Sequence, residues 1–266
     1  TILRALGWAA LGCGFTWLMT TAGSAMVFFF RKGSETTHRI FLGFAAGVMI
    51  AASVWSLLIP AIEQAEEAGQ VGWIPAAGGF LLGVAFLMLL DTFLPHLHAD
   101  EEEPEGAKSS WKRTTLLVSA VTLHNIPEGM SVGLLFAMAA QATGADATAY
   151  LGMAFALAIG MGLQNFPEGA AISLPLTREG LSRTKAFVLG SLSGIVEPIF
   201  GIAVVLVSAQ ITPFMPWMLS FAAGAMVYVV VEELIPEAHL GTHSNVGTLG
   251  VIAGFVIMMV LDVALG

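Results

Sequence analysis

Long apolar runs decide what this chain can fold into. Eight stretches, 5–30, 38–59, 72–94, 114–140, 147–172, 185–208, 213–235 and 245–265, are dominated by apolar side chains. Each reaches the ~20 residues that a helix needs to cross a bilayer. Only 11% of the 266 residues are charged, against roughly 25% in soluble domains. In lipid, each backbone polar group must be satisfied within its own segment, and no strand-like alternation runs through these stretches. All eight are therefore expected as helices, giving an all-α polytopic membrane protein with one transmembrane domain over 1–266. The first run is too long, and too unlike a cleavage region, to read as a signal peptide. The single cysteine, Cys13, excludes a disulfide framework and a Cys-based zinc site.

Basic residues set the expected orientation. Arg31, Lys32, Arg39, Lys108, Lys112, Arg113, Arg178, Arg183 and Lys185 fall on one side of the span pattern, and only Arg4 on the other. The positive-inside rule places those loops in the cytoplasm and both termini outside. The net charge of −9 comes mostly from acidic loops, which suits a cationic solute and gives no hint of nucleic acid.

The chain also repeats itself. Phe44-Ala45-Ala46-Gly47-Val48-Met49 recurs as Phe221-Ala222-Ala223-Gly224-Ala225-Met226. Leu58-Ile59-Pro60 recurs as Leu234-Ile235-Pro236, and Gly83 to Asp91 resembles Gly254 to Asp262. Spans 1–3 thus resemble spans 6–8, and mates run in opposite directions. Such 3+2+3 inverted repeats mark secondary transporters, whose sites lie near the midplane on interrupted helices. Gly43/Gly47, Gly79/Gly83 and Gly190/Gly194 have the spacing for close helix packing.

Spans 4 and 5 carry His124-Asn125-Ile126-Pro127-Glu128-Gly129 and Gln164-Asn165-Phe166-Pro167-Glu168-Gly169. His124 and Glu128, four apart, share a helix face. Pro127 and Pro167 lack an N–H and free the carbonyls of Leu123 and Leu163. Glu197 in span 6 and Met49 in span 2 lie near the same depth. A carboxylate there costs roughly 2.5 kcal/mol or more if unpaired. No Lys or Arg occupies the middle of any span, so protons or a metal cation remain as counter-charges. An N/O donor set suits zinc, iron, manganese or cadmium better than Cu(I).

His-Asn-x-Pro-Glu-Gly followed by Gln-Asn-x-Pro-Glu-Gly, on the fourth and fifth of eight spans, resembles the ZIP (Zrt/Irt-like) divalent metal transporters, in particular their bacterial GufA-like branch. The resemblance covers the whole chain. It implies transport of Zn²⁺, and of Cd²⁺, Fe²⁺ and Mn²⁺, into the cytoplasm through a binuclear midplane site, in a bacterial inner membrane and with no cofactor. It implies as ligands His124, Asn125, Glu128, Gln164, Asn165, Glu168 and Glu197, with Met49 in the span-2 position and Glu128 and Glu168 bridging. Where this chain has Gln164, other members carry a second His or an acid, and an amide binds a dication more weakly than a carboxylate.

The remaining acids sort by side. Glu63 and Asp262, with Glu66, Glu67 and Asp146, are entrance candidates. Asp91, Glu232 and Glu233 are exit candidates, joined by His96 and His98 in a cytoplasmic His/acid loop over 95–113. The partners expected are divalent metal ions, the lipid bilayer and a second copy of the chain. The alternative reading keeps the site in a selective metal-ion channel without alternating access. An enzyme is not expected, because His124-x-x-x-Glu128 lacks the second histidine of a metalloprotease helix.

Overall fold

The computed structural model describes residues 2–30, 35–96, 102–103, 113–208, 210, 212–238 and 245–265. Every regular element is helical. Seven helical runs among the described residues are long and apolar enough to cross a membrane. They are α1 (Ile2–Phe28), α2 (Glu35–Glu67), α3 (Trp73–Phe93), α5 (Gly144–Arg178), α6 (Arg183–Ser208), α7 (Thr212–Glu237) and α8 (Val246–Leu265). Helix α4 (Arg113–Gln141) has 29 residues and is also long enough. Its central His124, Asn125 and Glu128 lower its hydropathy. Helices α2 and α5 run well past the apolar cores of their sequences, to Glu67 and Arg178. The chain is thus an all-α polytopic membrane protein.

Helix pairing follows the internal repeat. α2 packs along α8 and α3 along α7, while α1 packs along α5 and α4 along α6. Each pair maps onto another when the repeat mates are exchanged. Glycines set the approach. A methyl group at Gly47 would overlap the carbonyl of Val251, and one at Gly254 would overlap that of Phe44. In the mated pair, Gly224 stands against Phe80 and Gly83 against Phe221. The glycines of the two hexapeptides obey the same relation. Gly129 lies against the backbone of Glu197, and Gly169 against that of Thr20. Thr20 and Glu197 are mates by the same spacing that pairs Phe44 with Phe221.

Two helices carry matched irregularities. α2 widens into a π-helical segment at Ser53–Leu58, and α7 does so at Val230–Leu234. Just beyond each stands a proline, Pro60 or Pro236. Neither can donate to the carbonyl four residues back, and the helix regains its bonding by shifting register. Helix α6 is discontinuous. It is helical over Arg183–Ser193, turns at Gly194, and resumes over Val196–Ser208 with Glu197 in the new first turn. That N-terminus favours a carboxylate through its exposed N–H groups. One apolar core joins all eight helices, and includes Met49, Leu57, Leu87, Leu134, Leu157, Met161, Val205 and Met226.

Candidate metal centre

His124, Asn125 and Glu128 lie at the middle of α4, Gln164, Asn165 and Glu168 near the middle of α5, and Glu197 at the break in α6. All seven are buried, none more than 5% exposed. Both prolines sit inside continuous helices, so each motif keeps its side chains in helical register while one carbonyl in each, that of Leu123 or Leu163, loses its helical donor.

The polar groups form two connected halves. In one, His124 lies between two acids. Its Nδ1 is 3.8 Å from Glu168 Oε1, and its Nε2 is paired with Glu233 Oε2. Gln164 Nε2 donates to Glu128 Oε1 at 2.7 Å. Among the described residues, Glu128 Oε2, Glu168 Oε2 and Gln164 Oε1 are buried without a hydrogen-bond partner. In the other half, Asn165 Nδ2 donates to both oxygens of Glu197, at 2.9 and 2.8 Å, and to the Thr16 carbonyl at 3.2 Å. Thr20 Oγ1 donates to Glu197 Oε1 at 3.4 Å. Asn125 Nδ2 donates to the Ser193 carbonyl at 3.1 Å. Gln164 Nε2 also donates to Asn165 Oδ1 at 2.6 Å and so links the halves.

Buried acceptors without donors are costly, at about 1–3 kcal/mol each. Three of them beside an imidazole form an electron-rich cluster suited to a cation. Among the described residues, no three His, Cys, Asp or Glu side chains stand ready-arranged as a metal cage. A cation held here would draw on the Gln164 amide oxygen as well. Met49 is fully buried in the apolar core, as is its repeat mate Met226.

The entrance candidates also gather. Glu63, Glu67, Asp146 and Asp262 line one open cavity of about 330 Å³ with Trp55, Tyr150 and Met153. Asp262 is buried and accepts a hydrogen bond from Ser56 in the α2 π-segment at 2.6 Å. At the opposite end, a cavity of about 30 Å³, room for about two waters, is lined by His124, Glu168, Leu42, Pro175, Leu234 and Glu237 among others. Between the two cavities, α5 presents Leu157 and Met161, both fully buried.

The exit candidates separate. Asp91 and His96 approach at 3.8 Å, and His96 is buried with Nδ1 bonded to the Leu94 carbonyl at 2.8 Å. Glu232 is exposed, whereas Glu233 joins His124 in the central cluster. His98 and most of the loop over 95–113 lie outside the described residues, as do Arg31, Lys32, Lys108, Lys112, His239 and His243. Sequence reasoning missed three features. It placed Glu233 at the exit rather than beside His124. It gave no role to Thr20, although the repeat pairs Thr20 with Glu197. It also read α6 as unbroken, where Gly194 shortly before Pro198 was the available signal.

Known proteins match this chain along most of its length. Residues 96–262 match the family described as ZIP Zinc transporter. "Zinc transporter ZIP11" of Homo sapiens is 39% identical, over 97% of this chain and 97% of that protein. "Zinc transporter ZIPB" of Bordetella bronchiseptica is 37% identical, over 98% of this chain and 82% of its own. "Zinc transporter GufA" of Myxococcus xanthus is 37% identical, over 80% and 81%.

Proposed function

Because the chain belongs to the ZIP zinc transporter family, we propose that it carries Zn²⁺ across a membrane and into the cytoplasm through the buried cluster of α4 and α5. The observation that supports this reading most is the set of buried, unpartnered oxygens on Glu128, Gln164 and Glu168 beside His124. Their residues sit mid-helix, and no Lys or Arg occupies the middle of any span.

The ligands of the transported ion are His124, Glu128, Gln164 and Glu168, with Glu233 reaching His124 from α7. Neutral imidazole, carboxylates and an amide oxygen all suit Zn²⁺, and Cd²⁺, Fe²⁺ and Mn²⁺ draw on the same donors. Ions collect at the acidic outer cavity, where Glu63, Glu67, Asp146 and Asp262 raise their local concentration. Leu157 and Met161 separate that cavity from the cluster, while the inner cavity reaches His124 and Glu168. This interruption favours a carrier over a continuous channel. Movement of the repeat units around the site then exposes it to either side in turn. Both termini lie outside, from the placement of the basic loops.

Uptake of radioactive zinc into proteoliposomes tests the site. Glu128→Ala and Glu168→Ala are each expected to abolish saturable uptake. Full uptake in both variants refutes the assignment.

A further inference from the structure

The hydrogen-bond network treats its two halves differently. Two side-chain donors are already aimed at Glu197. Asn165 Nδ2 meets both of its oxygens, and Thr20 Oγ1 meets one. Among the described residues neither Glu197 oxygen lacks a partner and Asn125 Oδ1 is the one unpartnered oxygen of that half, whereas the half around Glu128, Gln164 and Glu168 has three.

The neighbours fix the Asn165 amide in this orientation. Turned over, its oxygen would face both Glu197 oxygens and the Thr16 carbonyl, and its nitrogen would face Gln164 Nε2. All four contacts would become repulsive, donor against donor or acceptor against acceptor. One cation beside His124 needs no such inversion. Gln164 Oε1 is already unpartnered, and Gln164 Nε2 keeps its bonds to Glu128 Oε1 and Asn165 Oδ1. A second cation beside Glu197 would find Asn125 Oδ1 open but would meet the Asn165 nitrogen, a donor, across both Glu197 oxygens.

Resting on the site proposed above, we infer that this chain carries one metal ion at a time, and that Asn165 stands where a second ion would sit. Glu197 is a positioning residue. Through Asn165 and Gln164 it holds Glu128 in place, and through Thr20 it ties α1 to the break in α6. Asn165 thereby sets the stoichiometry of the site.

Zinc bound at equilibrium to the full chain in detergent micelles, counted by plasma mass spectrometry, tests this. The midplane count is the number of ions lost on the double change Glu128→Gln/Glu168→Gln, which removes outer and loop binding from the total. The expected count is one for the parent chain and two for Asn165→Asp, where a carboxylate replaces the donor with acceptors. X-ray absorption of the zinc-loaded proteins is expected to show a metal–metal distance of about 3.5–4 Å in Asn165→Asp only. Two ions in the parent, or that distance in the parent, overturn the inference, even if the variant fails to fold. A folded Asn165→Asp that still holds one ion also overturns it. A count of zero in the parent refutes the site itself and the inference with it.

Discussion

Replacing Glu128 with Gln separates the cost of this site from its use. Glu128 is buried at the centre of α4, with one oxygen bonded by Gln164 at 2.7 Å and the other without a partner. A carboxylate at that depth costs roughly 2.5 kcal/mol or more. Glutamine keeps the shape and leaves an oxygen for Gln164 Nε2. Its new amino group enters a cluster rich in acceptors, where Glu168 and His124 stand close together. Without metal the variant is therefore expected to be more stable, by about 2 kcal/mol. At about 2–4 °C per kcal/mol for a chain of this size, its melting midpoint should rise by about 4–8 °C in chelator. With metal the order reverses. Free zinc at about 100 times its dissociation constant stabilises a bound protein by about 2.7 kcal/mol, and Glu128→Gln should lose most of that gain. The assay is thermal unfolding in detergent, in chelator and across a zinc titration. A variant less stable than the parent in chelator, with an unchanged zinc shift, would refute the reasoning, because the carboxylate would then be structural.

Three further outcomes are expected. Metal must displace protons from the His124, Glu128 and Glu168 cluster, so zinc binding should be strongest near pH 8 and fall towards pH 5, and a flat profile over that range argues against proton competition. Gly129→Val places a side chain into the Glu197 backbone, at an overpacking cost of about 1–3 kcal/mol. It should abolish uptake, whereas Gly7→Val, at a position with open space around it, should not, and full uptake by the first variant contradicts the close α4–α6 approach. Glu63→Gln with Asp262→Asn should raise the zinc concentration for half-maximal uptake about 2–5-fold and leave the maximal rate alone, an effect that shrinks as salt screens the outer cavity. A fall in maximal rate alone would place these acids on a later step.

Much of this was legible along the chain. The helices could be read because apolar length and missing charge act segment by segment. The hexapeptides stood out because Asn, Pro, Glu and Gly repeat at fixed offsets in an apolar setting. The repeat was legible in Phe44–Met49 and Phe221–Met226, and it foreshadowed the paired packing of α2 on α8 and α3 on α7. Which side chains meet was less accessible. Glu232 and Glu233 are adjacent and chemically alike, yet one faces out and the other reaches His124. Consecutive helical residues point about 100° apart, so the rotation of α7 in the bundle decides which of the two faces inward.

The sequence by itself determined the class of fold, the helices that carry the polar motifs and the lack of any Lys or Arg beside their acids, because burial of charge and backbone in lipid is a local energetic constraint. Only the tertiary structure decided how the donors are shared. Asn165 spends its amide on Glu197, Ser56 its hydroxyl on Asp262, and Gln164 bridges Glu128 to Asn165. All but the Gln164–Asn165 contact join residues far apart in the chain. They depend on helix rotation and on glycine-set distances between backbones, which one-dimensional spacing does not encode.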